Sequence, residues 1–524
     1  MIRKTAVFGW YGLVIPVTYV ASQWRQHLLA SRSSPWHNQR DECRDDESDD
    51  VTLNVDPIYR TQETSKFSHL REPIRRAFSE FLGVPAAIVA GFLVLAALSY
   101  VLDKAEPSWL ELLRDYMAGH VFGNPESTGS LLGAIAAGVI TVSSITFSIL
   151  LLAIQQSAAA MTNAVIDQFL RRRFNQVFFG AYIGVAVFSL VTLATVNPPF
   201  NPVIGATLAL VSSVVSLSLL PLLIYKTIDQ TRPAVITTSI HDHLLSARQR
   251  QLDLIGGTRR RLHRQGEFQA PILTTEAGYV TRIDLDAINA CVINTRDSVE
   301  VEISVPIGTY VASHDTIMVI HGRSVADVTA VADRIAGATT IESQRDLKMD
   351  PAYGIEQLHM IAWTSVSTSK SNPSPGLYVI RALRDILAQW AADKDKQLAE
   401  PSSQVVYHDN TVSQLMGTLE SLAVVSTESM QHQSMAEVIH GLSSLFNRLP
   451  DEQQSRAADV MLRSLAGLGD HVLTLELELA LGKACDVLRA GGFAGEALAI
   501  EEAAALLGQA RGKLNSRSTR VPTV

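Results

Sequence analysis

Four polar side chains sit inside the most apolar part of this sequence, and their spacing places them on one line. Thr141, Ser144, Ser148 and Gln155 lie three, four and seven residues apart within GSLLGAIAAGVITVSSITFSILLLAIQQ, residues 129–156, a stretch with no charged residue. On a helix that spacing shares one face. Hydroxyls and an amide on such a face can hydrogen-bond a neighbouring helix, or they can line a water-filled path for a solute. Gly129, Gly133 and Ala137 repeat every four residues in the same stretch, removing side-chain bulk so that another backbone can approach. Gly180 and Gly184 do the same further on.

Other residues that could do chemistry fall short of a site. His241-Asp242-His243 holds two metal-ligand types, but i and i+2 do not converge on a helix and no third ligand is indicated. His314, His321, His359 and His408 stand apart, and core or surface histidines are the plainer reading. Gly256-Gly257-Thr258 has neither the spacing nor the lysine of a phosphate loop. No Gly-x-Ser-x-Gly elbow and no His-Glu-x-x-His is present. No catalytic residue, cofactor or metal is assigned, and the chain is read as not an enzyme.

The elements that must position the polar face follow from composition. The 524 residues are 47% hydrophobic and only 18% charged, with a mean hydropathy of +0.15, too apolar for an ordinary soluble chain. Four long apolar runs, about 84–102, 131–154, 177–196 and 203–225, each match a hydrocarbon core of about 30 Å. The net charge is −8, and the basic residues cluster beside these runs, which speaks against nucleic acid as a partner. Arg71, Arg75 and Arg76 precede the first run, Arg171, Arg172 and Arg173 stand between the second and third, and Lys226 follows the fourth. The other two loops hold two Lys/Arg and none, so both ends of the four-span core are expected in the cytoplasm of a plasma (inner) membrane. The arginine triplet is the membrane-anchoring candidate. Between the first two runs Trp109, Leu110, Leu112, Leu113, Tyr116 and Met117 share one side, as in a helix lying on a bilayer.

Around the spans the chain divides by composition. Residues 1–65 form a variable extension, with an apolar run over residues 6–21 and the acidic run DECRDDESDD, expected to be largely disordered. That apolar run reads as an interfacial segment, a removed peptide or the product of an upstream false start. A fifth span is disfavoured because it would carry the basic cluster outside. Residues 66–226 form the membrane domain, and 227–266 a linker helix with the stripe Ile236, Ile240, Leu244, Leu252 and Ile255. In 267–323 a small β unit, barrel-like or sandwich-like, is expected, because Val299, Val301, Ile303 and Val305 alternate with polar residues and Gly turns link short strands. It is similar to the fold of biotinyl and lipoyl carriers, but it lacks a lysine at a hairpin tip. Residues 324–514 read as an α-helical bundle and 515–524 as a tail. Cys43, Cys291 and Cys485 have no ligand-like spacing and are expected as free thiols.

The order of features resembles the domain-of-unknown-function family 2254 over residues 66 to about 410. The resemblance rests on Ser148-Ile149 and Gln155, Arg171 to Gln176, Gly278-Tyr279-Val280 with Ile283-Asp284, Gly308-Thr309-Tyr310-Val311, and Asp350-Pro351-Ala352-Tyr353-Gly354 with Gln357-Leu358. It implies a bacterial membrane protein with four spans and a cytoplasmic C-terminal region, and no established activity. Where many members carry a Ser-Pro-Gly-Ile-Asn-Asp-Pro-like segment, this chain has Ser367 to Pro373, keeping only the end residues. Two readings follow. One is a homo-oligomeric, channel-like assembly in the lipid bilayer, with Thr141, Ser144, Ser148 and Gln155 at a pore. The other is an anchored sensor or scaffold whose cytoplasmic helices bind a protein partner. No ionisable residue falls inside the four runs, which argues against proton-coupled transport.

Overall fold

The computed structural model describes residues 53–54, 58–59, 82–160, 172–263, 268–293, 298–368, 372–392, 403–468 and 473–509. The N-terminal apolar and acidic runs, Cys43, Arg171, Arg264 and the tail 515–524 lie outside them. Two short strands come first, β1 (Leu53–Asn54) and β2 (Ile58–Tyr59). Then come α1 (Gly83–Ala105), the short α2 (Glu111–His120), α3 (Pro125–Ala160), α4 (Arg173–Thr195) and α5 (Val203–Gln230).

Among the described residues four helices, α1, α3, α4 and α5, are long and apolar enough to cross a membrane. They are not equivalent. Half of the apolar window of α4 is buried, against 17% for α1 and 22% for α3 and α5, so α4 is the central helix and the others pack around it. Sequence explains the contact with α1. A Cβ on Gly180 would stand 2.9 Å from Pro85 Cα, and one on Gly184 would stand 2.7 Å from Phe92 Cε2, so only glycine admits α1 at that distance. The 36 residues of α3 rise about 54 Å, well past the roughly 30 Å that lipid requires. Its far end carries Ala158 into the core formed by the helices that follow the four long ones.

After α6 (Pro233–Gly256) the β unit begins: β3 (Phe268–Leu273), β4 (Gly278–Ile283), α7 (Leu285–Val292), β5 (Val299–Ile303), β6 (Tyr310–Val311), β7 (Thr316–Gly322), α8 (Val325–Ile335) and β8 (Thr339–Glu342). Alternation along β5 turns Val299, Val301 and Ile303 into a core shared with Ile272, Ile288, Ile320 and Val328. Among the described residues the sheets stay open and no closed barrel forms. One has the order β1-β3-β7-β5 with β2 also on β3, and the other is β6-β4-β8. The edges of the larger sheet are taken by segments far away in the chain. β9 (Val405–Tyr407) runs parallel to β5, with Val405 opposite Val301, and β1 and β2 run parallel to β3. Strands on either side of the four long helices thus share one sheet, so an even number of crossings separates them.

The remaining helices are α9 (Pro351–Val366), α10 (Ser374–Ala392), α11 (Thr411–Glu428), α12 (His432–Leu445), α13 (Asp451–Ser464), α14 (Leu475–Ala490) and α15 (Ala494–Gln509). They pack with α6 about one core that includes Ile240, Leu358, Leu383, Leu419 and Leu442. Local signals fix several starts: the side chains of Asp350, Ser324 and Thr474 accept the N–H of Tyr353, Asp327 and Leu477.

Candidate functional site

Thr141, Ser144, Ser148 and Gln155 all lie on the exposed side of α3, away from α4. Thr141 Oγ1 donates to the Ala137 carbonyl at 2.7 Å and Ser148 Oγ to that of Ser144 at 2.8 Å. The helix therefore satisfies these protons while the oxygen lone pairs face outward. The neighbouring Ser143 and Thr146 face the other way and are buried. Ala137 is exposed, and Gly133 and Gly138 have nothing within 4 Å of where a Cβ would stand. Gly129 instead meets the side chains of Leu193 and Val196 at ordinary contact distance. Gln155 stands three residues before Ala158, about 39 Å along the helix from Gly129, so it belongs to the membrane edge and not to its depth. At the same edge Arg172 is half-buried and extended, just ahead of α4, and Arg173 is exposed in its first turn.

The other end of the membrane part holds a residue that the apolar runs hide. Asp103 is 3% exposed, and its carboxylate accepts the N–H of Ile204 at 2.8 Å and of Gly205 at 2.9 Å. A carboxylate here satisfies two of the unpaired donors that open α5 and meets the positive end of its dipole. Midway along the bundle Tyr182 OH donates to the Ser216 carbonyl at 2.8 Å, five residues ahead of Pro221.

Beyond the four long helices, three of the segments that carry the family resemblance meet at one junction. Arg345 Nε donates to Asp350 Oδ2 at 2.6 Å, and its Nη1 pairs with Glu356. The guanidinium stands 4.9 Å from the ring of Tyr353 and 5.7 Å from that of Tyr279, which meets Tyr310 edge-on at 5.3 Å. Gly308, at φ +90°, lies so close that a Cβ would stand 2.6 Å from Asp350 Oδ1. The signature residues thus lock the three-stranded sheet to the start of α9, with arginine as the key between two rings and two carboxylates. A model of the family described as predicted membrane protein (DUF2254) matches residues 79–424. The chain belongs to this family. The match runs from the four long helices into α11, leaving α12–α15 beyond it. No curated protein and no solved structure matches the chain.

A second polar centre ties α6 to α10 and to the segment of β9. Arg248 pairs with Asp409 at 2.7 Å, donates to Gln251 at 2.7 Å and lies 5.0 Å from the Trp390 ring. Gln251 reaches Tyr407 OH, which accepts the N–H of Ile307. Burial alone would raise the Asp409 carboxyl, but the hydrogen bond and charge of Arg248, with two hydrogen bonds from Thr411, hold it below the usual carboxylate range. Burial pushes the Tyr407 phenol up. Neither Arg345 nor Arg248 stands in a motif, and sequence reasoning missed both.

These histidines are engaged, and one carboxylate brings together two that stand apart in the sequence. His241 is clamped between Asp242 at 3.0 Å and Asp385 at 2.8 Å, while His243 Nδ1 lies 2.6 Å from the Ser239 carbonyl. His321 and His408 contact opposite oxygens of Glu302 at 3.0 and 3.1 Å. His359 lies 3.1 Å from Ser421 Oγ, and burial lowers its pKa. Among the described residues no group of three or more His, Cys, Asp or Glu is placed to hold a metal. Cys291 and Cys485 are buried and free. Arg259, three residues past α6, pairs with Glu300 of β5 at 3.0 Å and ties that end of the helix to the β unit.

Proposed function

We propose that copies of this chain assemble in the membrane into a channel-like oligomer. In it Thr141, Ser144 and Ser148 of each protomer face a shared polar path, with Gln155 at its mouth and the soluble part as a vestibule. The supporting observation is the direction of this face. The hydroxyl oxygens and the bare glycines Gly133 and Gly138 turn away from the protomer's own helices, and hydrocarbon offers such oxygens nothing. A second copy, or water held by several copies, does. The Lys/Arg distribution supports an inner-membrane setting with the vestibule in the cytoplasm. The sheet shared by β1, β2 and β3 supports a common side for both flanks of the helices. No catalytic step or cofactor is part of this reading.

Purified protein in a planar bilayer tests it. Current is expected, and Ser144→Leu should reduce it. A clean preparation silent under both voltage and tension, or one whose detergent complex has the mass of a single chain, would reject the assembly.

One observation favours a membrane-anchored sensor or scaffold instead. An open groove of about 320 Å³, lined in part by Trp363, Glu420, Ser421, Val424 and Glu428, lies between α9 and α11, with Met360 exposed nearby. A crosslinker at position 363 that captured one defined cytoplasmic protein, in a preparation without conductance, would support this reading over the channel.

A further inference from the structure

We propose that the outward face of α2 is seated in the headgroup and upper acyl layer of the adjacent leaflet, and that its occupant is zwitterionic phospholipid. The helix has three sides. On the first, Met117 and Ala118 pack on the membrane core beside the buried Phe122, whose carbonyl accepts Asn201 Nδ2 at 3.0 Å, tying this turn to the start of α5. On the second, Glu111 and Asp115 face water. On the third, Leu112, Leu113 and Tyr116 stand outward, joined by Trp109 from the turn just before the helix; Leu112 is 86% exposed and Trp109 74%.

Depth says what covers them. The 23 residues of α1 rise about 34 Å, close to the roughly 30 Å of hydrocarbon, so its end at Ala105 reaches the polar layer just where this segment begins. Val94, Leu98 and Val101 on α1 are exposed as well, so α1 carries a bare apolar side of its own up to the turn from which this segment starts. Tryptophan and tyrosine, with an apolar ring and a polar tip, suit that layer. Charge selects the headgroup. Arg114 is held by Glu106, and Glu111 and Asp115 on the water side outnumber the exposed Lys104 at the end of α1, so the flanks of this face repel anionic lipid. The inference does not depend on conduction or on oligomer number.

The test uses the full chain carrying Cys43→Ser, since Cys291 and Cys485 are buried, reconstituted in phosphatidylcholine vesicles. A polarity-sensitive fluorophore is attached in turn to Leu112→Cys, Tyr116→Cys and Glu111→Cys. Labels at 112 and 116 should emit to the blue. Phosphatidylcholine brominated near the glycerol should quench them roughly threefold more than label 111, as a burial depth of about 5–10 Å requires. Red, unquenched emission at 112 and 116 would mean water, and blue emission without quenching would mean a protein cover such as a second copy. Stronger quenching by brominated phosphatidylglycerol than by phosphatidylcholine would mean the wrong headgroup. Any of these three results overturns the proposal.

Discussion

The carboxylate of Asp103, at the end of α1, accepts the backbone N–H of Gly205, at the start of α5, at 2.9 Å. Two helices a hundred residues apart are joined there by a side chain that also takes the N–H of Ile204. Asp103→Ala leaves both donors buried without an acceptor, and should cost about 1.5–3 kcal/mol, the range for hydrogen bonds to a charged group. Thermal unfolding in detergent reads the loss, and Asp103→Asn should recover part of it. An unchanged midpoint in the alanine variant would show that the bond contributes nothing.

The glycines of the membrane part should separate into two classes. Gly184→Ala drives a methyl group into the Phe92 ring and should destabilise by about 1–3 kcal/mol, as overpacking does. Phe92→Leu in the same chain should relieve it. Gly138→Ala meets open space in the protomer and should leave the monomer's midpoint unchanged or slightly raised. If copies pack along that face, Gly138→Leu will lower the oligomer mass in size-exclusion light scattering while the fold survives.

At the Arg345 junction, Arg345→Ala strands Asp350, which is buried, beside Gly308. A loss of about 3–5 kcal/mol is expected, the cost of breaking a buried pair from one side. Lysine should not rescue it, because an ammonium cannot offer Nε and Nη1 to two carboxylates while lying flat between two rings. Limited proteolysis between β8 and α9 provides the readout.

Stability should fall on the acid side. Burial lowers the pKa of His359 and of His432, so the folded state holds fewer protons there than the unfolded state does. The stability that follows is fully present above the ordinary histidine value of 6.5 and is lost as pH falls through the lower folded values. Asp409 has the same sign further down, below its ordinary 3.8. The unfolding midpoint should drop between about pH 7.5 and pH 5, where histidine titrates, and His359→Gln should shrink that drop. A flat profile in the wild-type chain would contradict it.

The four long helices were legible because hydrophobicity must run unbroken for some twenty residues to cross lipid, and β5 because its alternation is strict. The α3 stripe was legible only in part. Periodicity says that Thr141, Ser144 and Ser148 share a face, but Ser143 and Thr146 lie in the same stretch, and only packing against α4 decides which set turns inward. Asp103 read as the first loop residue because its charge ends the apolar run, yet the helix continues to Ala105 and turns the carboxylate into the protein. β1, β2 and β9 have two or three residues each, too few for any period, and their partners lie far along the chain. Because that long-range pairing left no local signal, a small barrel-like or sandwich-like unit was expected, and the structure shows no closed barrel.

The pairing of β1 and β2 with β3 bears on how the molecule is made. These strands are synthesised before the first crossing, and their partner emerges only after the last. A ribosome product with one helix left out of the lipid would hold them on opposite sides, and an edge of the sheet would stay bare and prone to aggregate. Completion of that edge therefore works as a parity check on insertion, letting the sheet close only over a membrane half threaded an even number of times.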